Sequence, residues 1–197
     1  LTGFKYIGEE IEYLNEAQAG EFIFGFEESY GFLFKDFVRD KDSLQACLMI
    51  AEVAAYYNKR GMTMAEGLEE IYQKYGYYKE ETRSIEMSGL DGLAKMKALM
   101  ERLRAEKLET VLDQEVLKTE DYLSQTVLEN GAVSQLVDYP KSDVLKYYLT
   151  DGTWVALRPS GTEPKIKIYV GAKADSAAAA ADKVAAYQAF FNELLSK

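Results

Sequence analysis

Three segments typical of β-strands follow one another between residues 144 and 170, and they constrain the fold more than any other feature of the chain. The first two, Val144–Thr150 and Thr153–Leu157, flank Asp151-Gly152, a dipeptide typical of two-residue hairpin loops. The third, Lys165–Val170, alternates polar and apolar residues, so one of its faces should be buried. The sequence therefore predicts an antiparallel sheet in the C-terminal half.

Helical patterns lie on both sides of these strands in the sequence. Apolar residues recur at helical spacing over residues 90–103 and again over 184–195, where Asp175 or Ser176 can cap the helix. Short strands and turns are expected in between, with a turn at Asn130-Gly131. Helices packed on an antiparallel sheet predict an α+β domain.

The N-terminal part of the chain has a different pattern. Glu21–Phe26 is short, apolar and rich in aromatic residues, which predicts a buried strand. Residues 44–53 are apolar nearly all round, which predicts a core helix capped by Asp42 or Ser43, with the Cys47 thiol buried.

A second helix should follow the first, and then a change of composition. Thr63 and Glu66 have the spacing of a capping box. After Gly76 the residues become charged and alternating, which places a domain boundary near residue 78.

Charge and composition exclude several classes of function. With 23 basic and 33 acidic residues, the net charge of −10 disfavours nucleic acid or an anionic membrane as partner. The absence of histidine excludes Ser-His and Cys-His catalysis and most zinc chemistry within these residues. No apolar run has the length of a membrane span, and one cysteine in the chain fits a reducing, cytoplasmic setting.

The segment Arg158-Pro-Ser-Gly-Thr162 has the chemistry of a phosphate site. A guanidinium can form two parallel hydrogen bonds to a phosphate, Ser160 and Thr162 supply hydroxyl groups, and Gly161 can let backbone amides converge. The alternative is an ordinary tight turn whose hydroxyl groups bond only their own backbone. Residue chemistry alone leaves both interpretations open.

A second polar segment, Gly25-Phe-Glu-Glu-Ser-Tyr-Gly31, could bind a sugar. In an extended loop Glu27 and Ser29 share a face, and both can hydrogen-bond to vicinal hydroxyl groups. A solvated turn is the alternative.

These segments resemble parts of the α-D-phosphohexomutase superfamily. The run Arg158-Pro-Ser-Gly-Thr-Glu-Pro-Lys-Ile-Lys-Ile-Tyr169 resembles its C-terminal phosphate-binding loop. The resemblance implies that the substrate phosphate that is not reacting is held by Arg158, Ser160, Gly161, Thr162 and, on the next strand, Lys167. Because a carboxylate and a phosphate repel each other, Glu163 should point away from the ligand.

The first polar segment resembles the family's sugar-binding Gly-Glu-x-Ser loop, which implies that Glu27 and Ser29 contact ring hydroxyl groups. Arg39-Asp-Lys-Asp42 resembles the Arg-x-Lys-Asp segment of phosphoglucomutases. It suggests Lys41 as a further basic contact, with a solvated lysine as the alternative. Gly31 stands where some bacterial members carry histidine, which favours a phosphoglucomutase-like member.

By this resemblance, residues 1–78 are part of the third domain and residues 79–197 are the fourth. The implied fold is a truncated mixed-sheet α/β domain followed by a smaller α+β domain with an antiparallel sheet. The family's phosphoserine loop and metal loop have no counterpart here, so the sequence predicts no catalytic residue and no metal ligand in this chain.

The resemblance also implies a function. The parent enzyme would interconvert hexose 1-phosphate and hexose 6-phosphate through a phosphoserine and a bisphosphosugar, with Mg²⁺ and a hexose 1,6-bisphosphate activator. This chain would bind the hexose phosphate, pack against missing N-terminal domains and be inactive alone. The alternative is a stand-alone, non-catalytic phosphosugar-binding module.

Overall fold

The computed structural model describes residues 3–27, 30–87, 89, 91–137 and 139–196. The chain divides into two compact units, Leu1–Ile71 and Tyr72–Lys197. The division lies a few residues before the boundary predicted near residue 78. Within the described residues, none of the helices combines the length and apolar character needed to cross a bilayer.

The first unit contains two short strands and helices. Its elements are α1 (Lys5–Ala17), β1 (Gly25–Glu27), β2 (Gly31–Leu33), α2 (Ser43–Lys59) and α3 (Met64–Tyr75), the last of which extends across the division. Strands β1 and β2 pair antiparallel, with Glu27 opposite Gly31. A small core of Phe4, Ile11 and Leu33 joins α1 to the hairpin. Helix α1 was not predicted. The capping box of α3 is confirmed, since the Thr63 amide donates to the Glu66 carboxylate and the Glu66 amide donates to the Thr63 hydroxyl oxygen.

The strand predicted over Glu21–Phe26 is wrong over its first four residues. Only Gly25–Glu27 forms a strand, because no described strand pairs with the residues before Gly25. The aromatic side chains stack on one another instead: the ring of Phe24 lies 5.4 Å from that of Phe26 and 4.7 Å from that of Phe34. Phe26 remains 63% exposed.

Helix α2 begins as predicted, but it is not a core helix. Asp42 caps it by accepting hydrogen bonds from the amides of Leu44 and Gln45. None of its described residues is buried; Leu44 and Leu48 are 80% and 62% exposed, and the Cys47 thiol is exposed as well. The prediction failed because an apolar helix surface is buried only where another element packs closely against it, and the described elements leave much of this one exposed.

The second unit is an antiparallel sheet with helices on one face. Its strands are β3 (Tyr77–Glu86), β4 (Thr110–Val111), β5 (Gln114–Asp121), β6 (Thr126–Glu129), β7 (Ala132–Gln135), β8 (Leu145–Leu149), β9 (Trp154–Pro159) and β10 (Lys165–Ala174). Helices α4 (Gly92–Glu106) and α5 (Ala177–Ser196) complete it. The strand order is β3-β10-β9-β8-β5-β6-β7, with β4 paired to β5. The antiparallel sheets and five helices confirm the predicted mixture of α and β structure.

The core of the second unit lies between the sheet and these two helices. Val155, Ile166 and Ile168 from the strands and Phe191 from α5 are completely buried. Successive side chains of a strand point to opposite faces, so the charged residues that alternate with these apolar ones lie on the face away from the helices.

The hairpin between β8 and β9 differs from the predicted one by a residue. The amide of Leu149 donates to the carbonyl of Thr153, which closes a three-residue loop, and Gly152 adopts a φ of 79°. A left-handed glycine in the last loop position is typical of three-residue hairpin loops. The predicted turn at Asn130-Gly131 is confirmed, since both residues have positive φ between β6 and β7.

Candidate functional site: a phosphate loop and a sugar loop

The predicted phosphate loop joins β9 to β10. The amide of Ser160 donates to the carbonyl of Lys165 at 2.8 Å and closes the loop at its base. Arg158 and Lys167 are paired in the ladder, so their side chains leave the sheet on the same face. Because Ile166 is buried towards the helices, the two cations lie on the opposite face. The structure therefore brings these two predicted residues together.

Two backbone amides converge inside the loop. Those of Thr162 and Glu163 point at the hydroxyl oxygen of Ser160, at 3.4 and 3.3 Å. Both distances are longer than a typical N–H···O hydrogen bond, so a better acceptor could replace this oxygen. The turn does bond its own backbone, and the Ser160 hydroxyl hydrogen can still serve as a donor.

Gly161 is exposed at the tip of this loop. Its φ is not in the left-handed region, and a Cβ added to it would meet no atom within 4 Å. This loop conformation therefore does not require glycine for steric reasons. What glycine leaves is open space beside the converging amides, which a bound anion could use.

The charges around the loop include Lys165, which was not among the predicted site residues. The ammonium group of Lys165 lies 2.6 Å from a carboxylate oxygen of Glu163. Glu163 is exposed. Its expected orientation away from a ligand stays a prediction.

In the predicted sugar loop, Glu27 ends β1, and Ser29 lies outside the described residues. The Glu27 side chain is only 13% exposed. A Cβ at Gly31 would lie 2.8 Å from the Glu27 carboxylate, so the absence of a side chain at position 31 gives that carboxylate its place. A larger residue there would displace it.

Lys41 lies near this carboxylate. Its ammonium nitrogen is 3.9 Å from Oε1 of Glu27 and 3.1 Å from Oδ1 of Asp40. The backbone amide of Lys41 donates to Asp40, and this bond, together with the ammonium group, lowers the pKa of the Asp40 carboxyl group. The structure thus brings Glu27 and Lys41 together across residues that are distant in sequence. Their contact with a sugar stays a prediction.

The segment that carries Lys41 is fixed at both ends. The side-chain oxygen of Gln45 accepts hydrogen bonds from the amides of Phe34 and Lys35, at 3.1 and 2.7 Å. Arg39 donates to a carboxylate oxygen of Glu12 on α1 at 3.0 Å. These contacts hold the segment against the hairpin and α1.

An apolar cavity of about 590 Å³ opens beside Lys41, between the hairpin and α2. Phe24, Phe32 and Phe34 line one side, and Ile50 and Val53 line the other. The cavity continues into the exposed apolar surface of α2, so hydrophobic side chains, not polar groups, dominate this part of the unit.

Two family models match the chain. The model of the phosphoglucomutase/phosphomannomutase α/β/α domain III matches residues 1–75, and that of the phosphoglucomutase/phosphomannomutase C-terminal domain matches residues 94–188. The chain is 42% identical over 175 residues to a phosphoglucomutase of Staphylococcus aureus, which covers 88% of this chain and 31% of that protein. It is 40% identical over 186 residues to a phosphoglucomutase of Staphylococcus epidermidis, covering 93% of this chain and 33% of that protein.

The fold also resembles a solved structure. The open form of pp63/parafusin, a phosphoglucomutase from Paramecium, matches with a TM-score of 0.60 at 20% identity, over 99% of this chain and 33% of the other. The chain thus spans about a third of the length of these relatives. The chain belongs to the phosphoglucomutase/phosphomannomutase family and carries regions of its domain III and its C-terminal domain.

Proposed function

We propose that this chain is the substrate-binding part of a phosphoglucomutase-like enzyme that interconverts hexose 1-phosphate and hexose 6-phosphate through a phosphoserine and a bisphosphosugar. The observation that carries the proposal is the phosphate loop. Arg158 and Lys167 share a face, next to two amides that converge at Ser160.

The chemistry assigned to this loop is positioning. A phosphate dianion would replace the Ser160 oxygen as acceptor of the two amides, receive a bidentate hydrogen-bond pair from Arg158 and be attracted by Lys167. Phosphoryl transfer depends on alignment and on neutralisation of charge. Holding the phosphate that does not react contributes to both without any bond being made in this loop.

Glu27 and Lys41 are assigned to the sugar. A carboxylate accepts hydrogen bonds from two neighbouring hydroxyl groups, and an ammonium group donates to ring or hydroxyl oxygens. The low exposure of Glu27 favours this role, because a nearly buried carboxylate with a lysine only 3.9 Å away keeps a fixed position. Ser29 belongs to the same proposal.

We assign Mg²⁺ and a hexose 1,6-bisphosphate activator to the whole enzyme. Among the described residues, no group of three or more potential metal ligands is placed to hold an ion, and no step is assigned to a metal here. We further propose that the whole enzyme is cytoplasmic and that its N-terminal region covers the exposed apolar surface of α2. This chain alone would bind substrate without turning it over.

Calorimetric titration with glucose 6-phosphate tests the assignment of the phosphate loop. We expect a dissociation constant of about 1 mM for the isolated chain, since only part of a complete site is present. Arg158→Ala should weaken binding by about tenfold or more, because a hydrogen bond to a charged group is lost, and Arg158→Lys should retain part of the affinity. Lys141→Ala, an exposed cation outside the loop, is the matched control. Equal affinities of wild type and Arg158→Ala would refute the assignment.

A further inference from the structure

Four polar side chains lie on the face of the sheet opposite α4 and α5. The ladder pairs Arg158 with Lys167, and the next pair towards the loop is Pro159 with Ile166. Ser160 then lies opposite Lys165, to which its amide is bonded. Since Ile166 points into the core, Ser160 and Lys165 point the other way, on the face that carries Arg158. Residues directly opposite each other across a ladder have Cβ atoms roughly 5 Å apart. Lys165 is therefore a near neighbour of the phosphate loop.

Lys165 is already engaged by an acid of the same loop. Its ammonium group lies 2.6 Å from Glu163, with the two side chains 26% and 59% exposed. The amide of Glu163 is one of the two that point at Ser160. Glu163 is also the only acidic residue between positions 158 and 167 of the sequence, against three basic ones. One residue thus provides an amide to the proposed anion position and a carboxylate to the nearby lysine.

We propose that Lys165 is a further phosphate-binding residue and that Glu163 holds its ammonium group while the loop is empty. The proposal rests on the assignment of the phosphate loop. A phosphate dianion carries twice the charge of the Glu163 carboxylate and offers three acceptor oxygens, so it competes successfully for the ammonium group.

The exchange has a consequence for affinity. When phosphate takes the Lys165 ammonium group from Glu163, the attraction within that pair is lost, and this loss reduces the net gain. Glu163 therefore keeps binding weak enough for release, which suits a loop that must let its substrate leave. An uncharged residue at this position would leave Lys165 permanently available to phosphate.

Titration of four chains with inorganic phosphate tests this exchange. Because Pro159 has no amide proton, the amide chemical shifts of residues 158 and 160–162 report the dissociation constant. They are measured in wild type, Glu163→Gln, Glu163→Gln with Lys165→Gln, and Glu163→Gln with Lys173→Gln. Lys173 is the matched control, because it lies on β10 at the other end of the same strand, about 26 Å away at 3.3 Å per residue. At that distance salt screens its charge from the loop.

Glu163→Gln should bind phosphate about two- to fivefold more tightly, because binding then no longer costs the attraction of a partly exposed Glu163–Lys165 ion pair. Lys165→Gln should remove this gain, and Lys173→Gln should leave it intact. The inference is overturned if Glu163→Gln does not tighten binding, or if the gain survives Lys165→Gln as it survives Lys173→Gln. If phosphate shifts other amides in all four chains and leaves 158–162 unmoved, the assignment of the loop itself fails.

Discussion

Replacement of Asp151 by alanine should destabilise the second unit more than any change in its charged surface. The Asp151 carboxylate lies in the loop between β8 and β9. It accepts hydrogen bonds from the amide and hydroxyl of Thr153 at 2.9 and 3.0 Å and from the hydroxyl of Tyr187 at 3.0 Å. It also forms an ion pair with Lys183 at 3.2 Å. One side chain thus joins the hairpin to α5.

The size of the effect follows from what the substitution leaves behind. Tyr187 is 2% exposed, so its hydroxyl group would lose its acceptor in a place where water has little access. An unsatisfied buried group costs about 1–3 kcal/mol, and each hydrogen bond to a charged group about 1.5–3 kcal/mol, with incomplete additivity. We expect a loss of about 2–4 kcal/mol for Asp151→Ala. Asp151→Asn keeps one acceptor oxygen and should lose roughly half as much.

Urea unfolding followed by tryptophan fluorescence measures this loss. The only tryptophan, Trp154, lies on β9, so its signal reports the second unit. Asp182→Ala, an exposed acid on α5, is the control and should stay within about 0.5 kcal/mol of wild type. An unfolding free energy for Asp151→Ala within that same margin would refute the view that this carboxylate anchors the hairpin to the helix.

Three further predictions concern pH, local stability and activity. Burial alone would raise the pKa of Asp151, but the hydrogen bonds from Thr153, Lys183 and Tyr187 outweigh it and lower the pKa. Its contribution to stability is therefore present above the unfolded pKa of about 3.9 and is lost as pH falls through the folded pKa. In Asp151→Asn the unfolding free energy should fall less steeply at acid pH than in wild type, and an equally steep fall would contradict this. Hydrogen exchange should be slower in residues 79–197 than in 1–78, because the core of the first unit consists of few buried residues; equal protection would count against it. The chain alone should not convert glucose 1-phosphate with Mg²⁺ and glucose 1,6-bisphosphate in a coupled assay, and turnover by pure protein would disprove this.

The elements that could be predicted are those set by local pattern. The alternation in Lys165–Val170 identified a strand with one buried face, and the strand extends to Ala174. The Thr63–Glu66 box was predicted correctly, and the cap predicted at Asp42 or Ser43 is made by Asp42. Both features depend only on near neighbours in sequence. A local pattern does not fix loop length so well, since Asp151-Gly152 is compatible with a two-residue and a three-residue hairpin.

What could not be predicted depends on contacts between distant residues. The burial of Leu44 and Leu48 was predicted from their apolar character, although burial also requires a partner surface. The approach of Lys41 to Glu27 depends on how the hairpin packs beside the start of α2. The alternation of polar and apolar residues predicted the correct face for Lys165. Its position opposite Ser160 could be recognised only from the register of β9 and β10.

The loop from Arg158 to Thr162 is the substrate-phosphate site that we propose for this chain. The most direct measurement is a titration of isotope-labelled chain with inorganic phosphate, followed by amide chemical shifts. Net charge opposes binding, but salt screens it beyond about 8–10 Å, so the local donors should prevail. We expect saturable shifts centred on residues 158–162, and no such shifts in Arg158→Ala. Unchanged signals for these amides, with phosphate-dependent shifts in another region of the chain instead, would contradict this assignment.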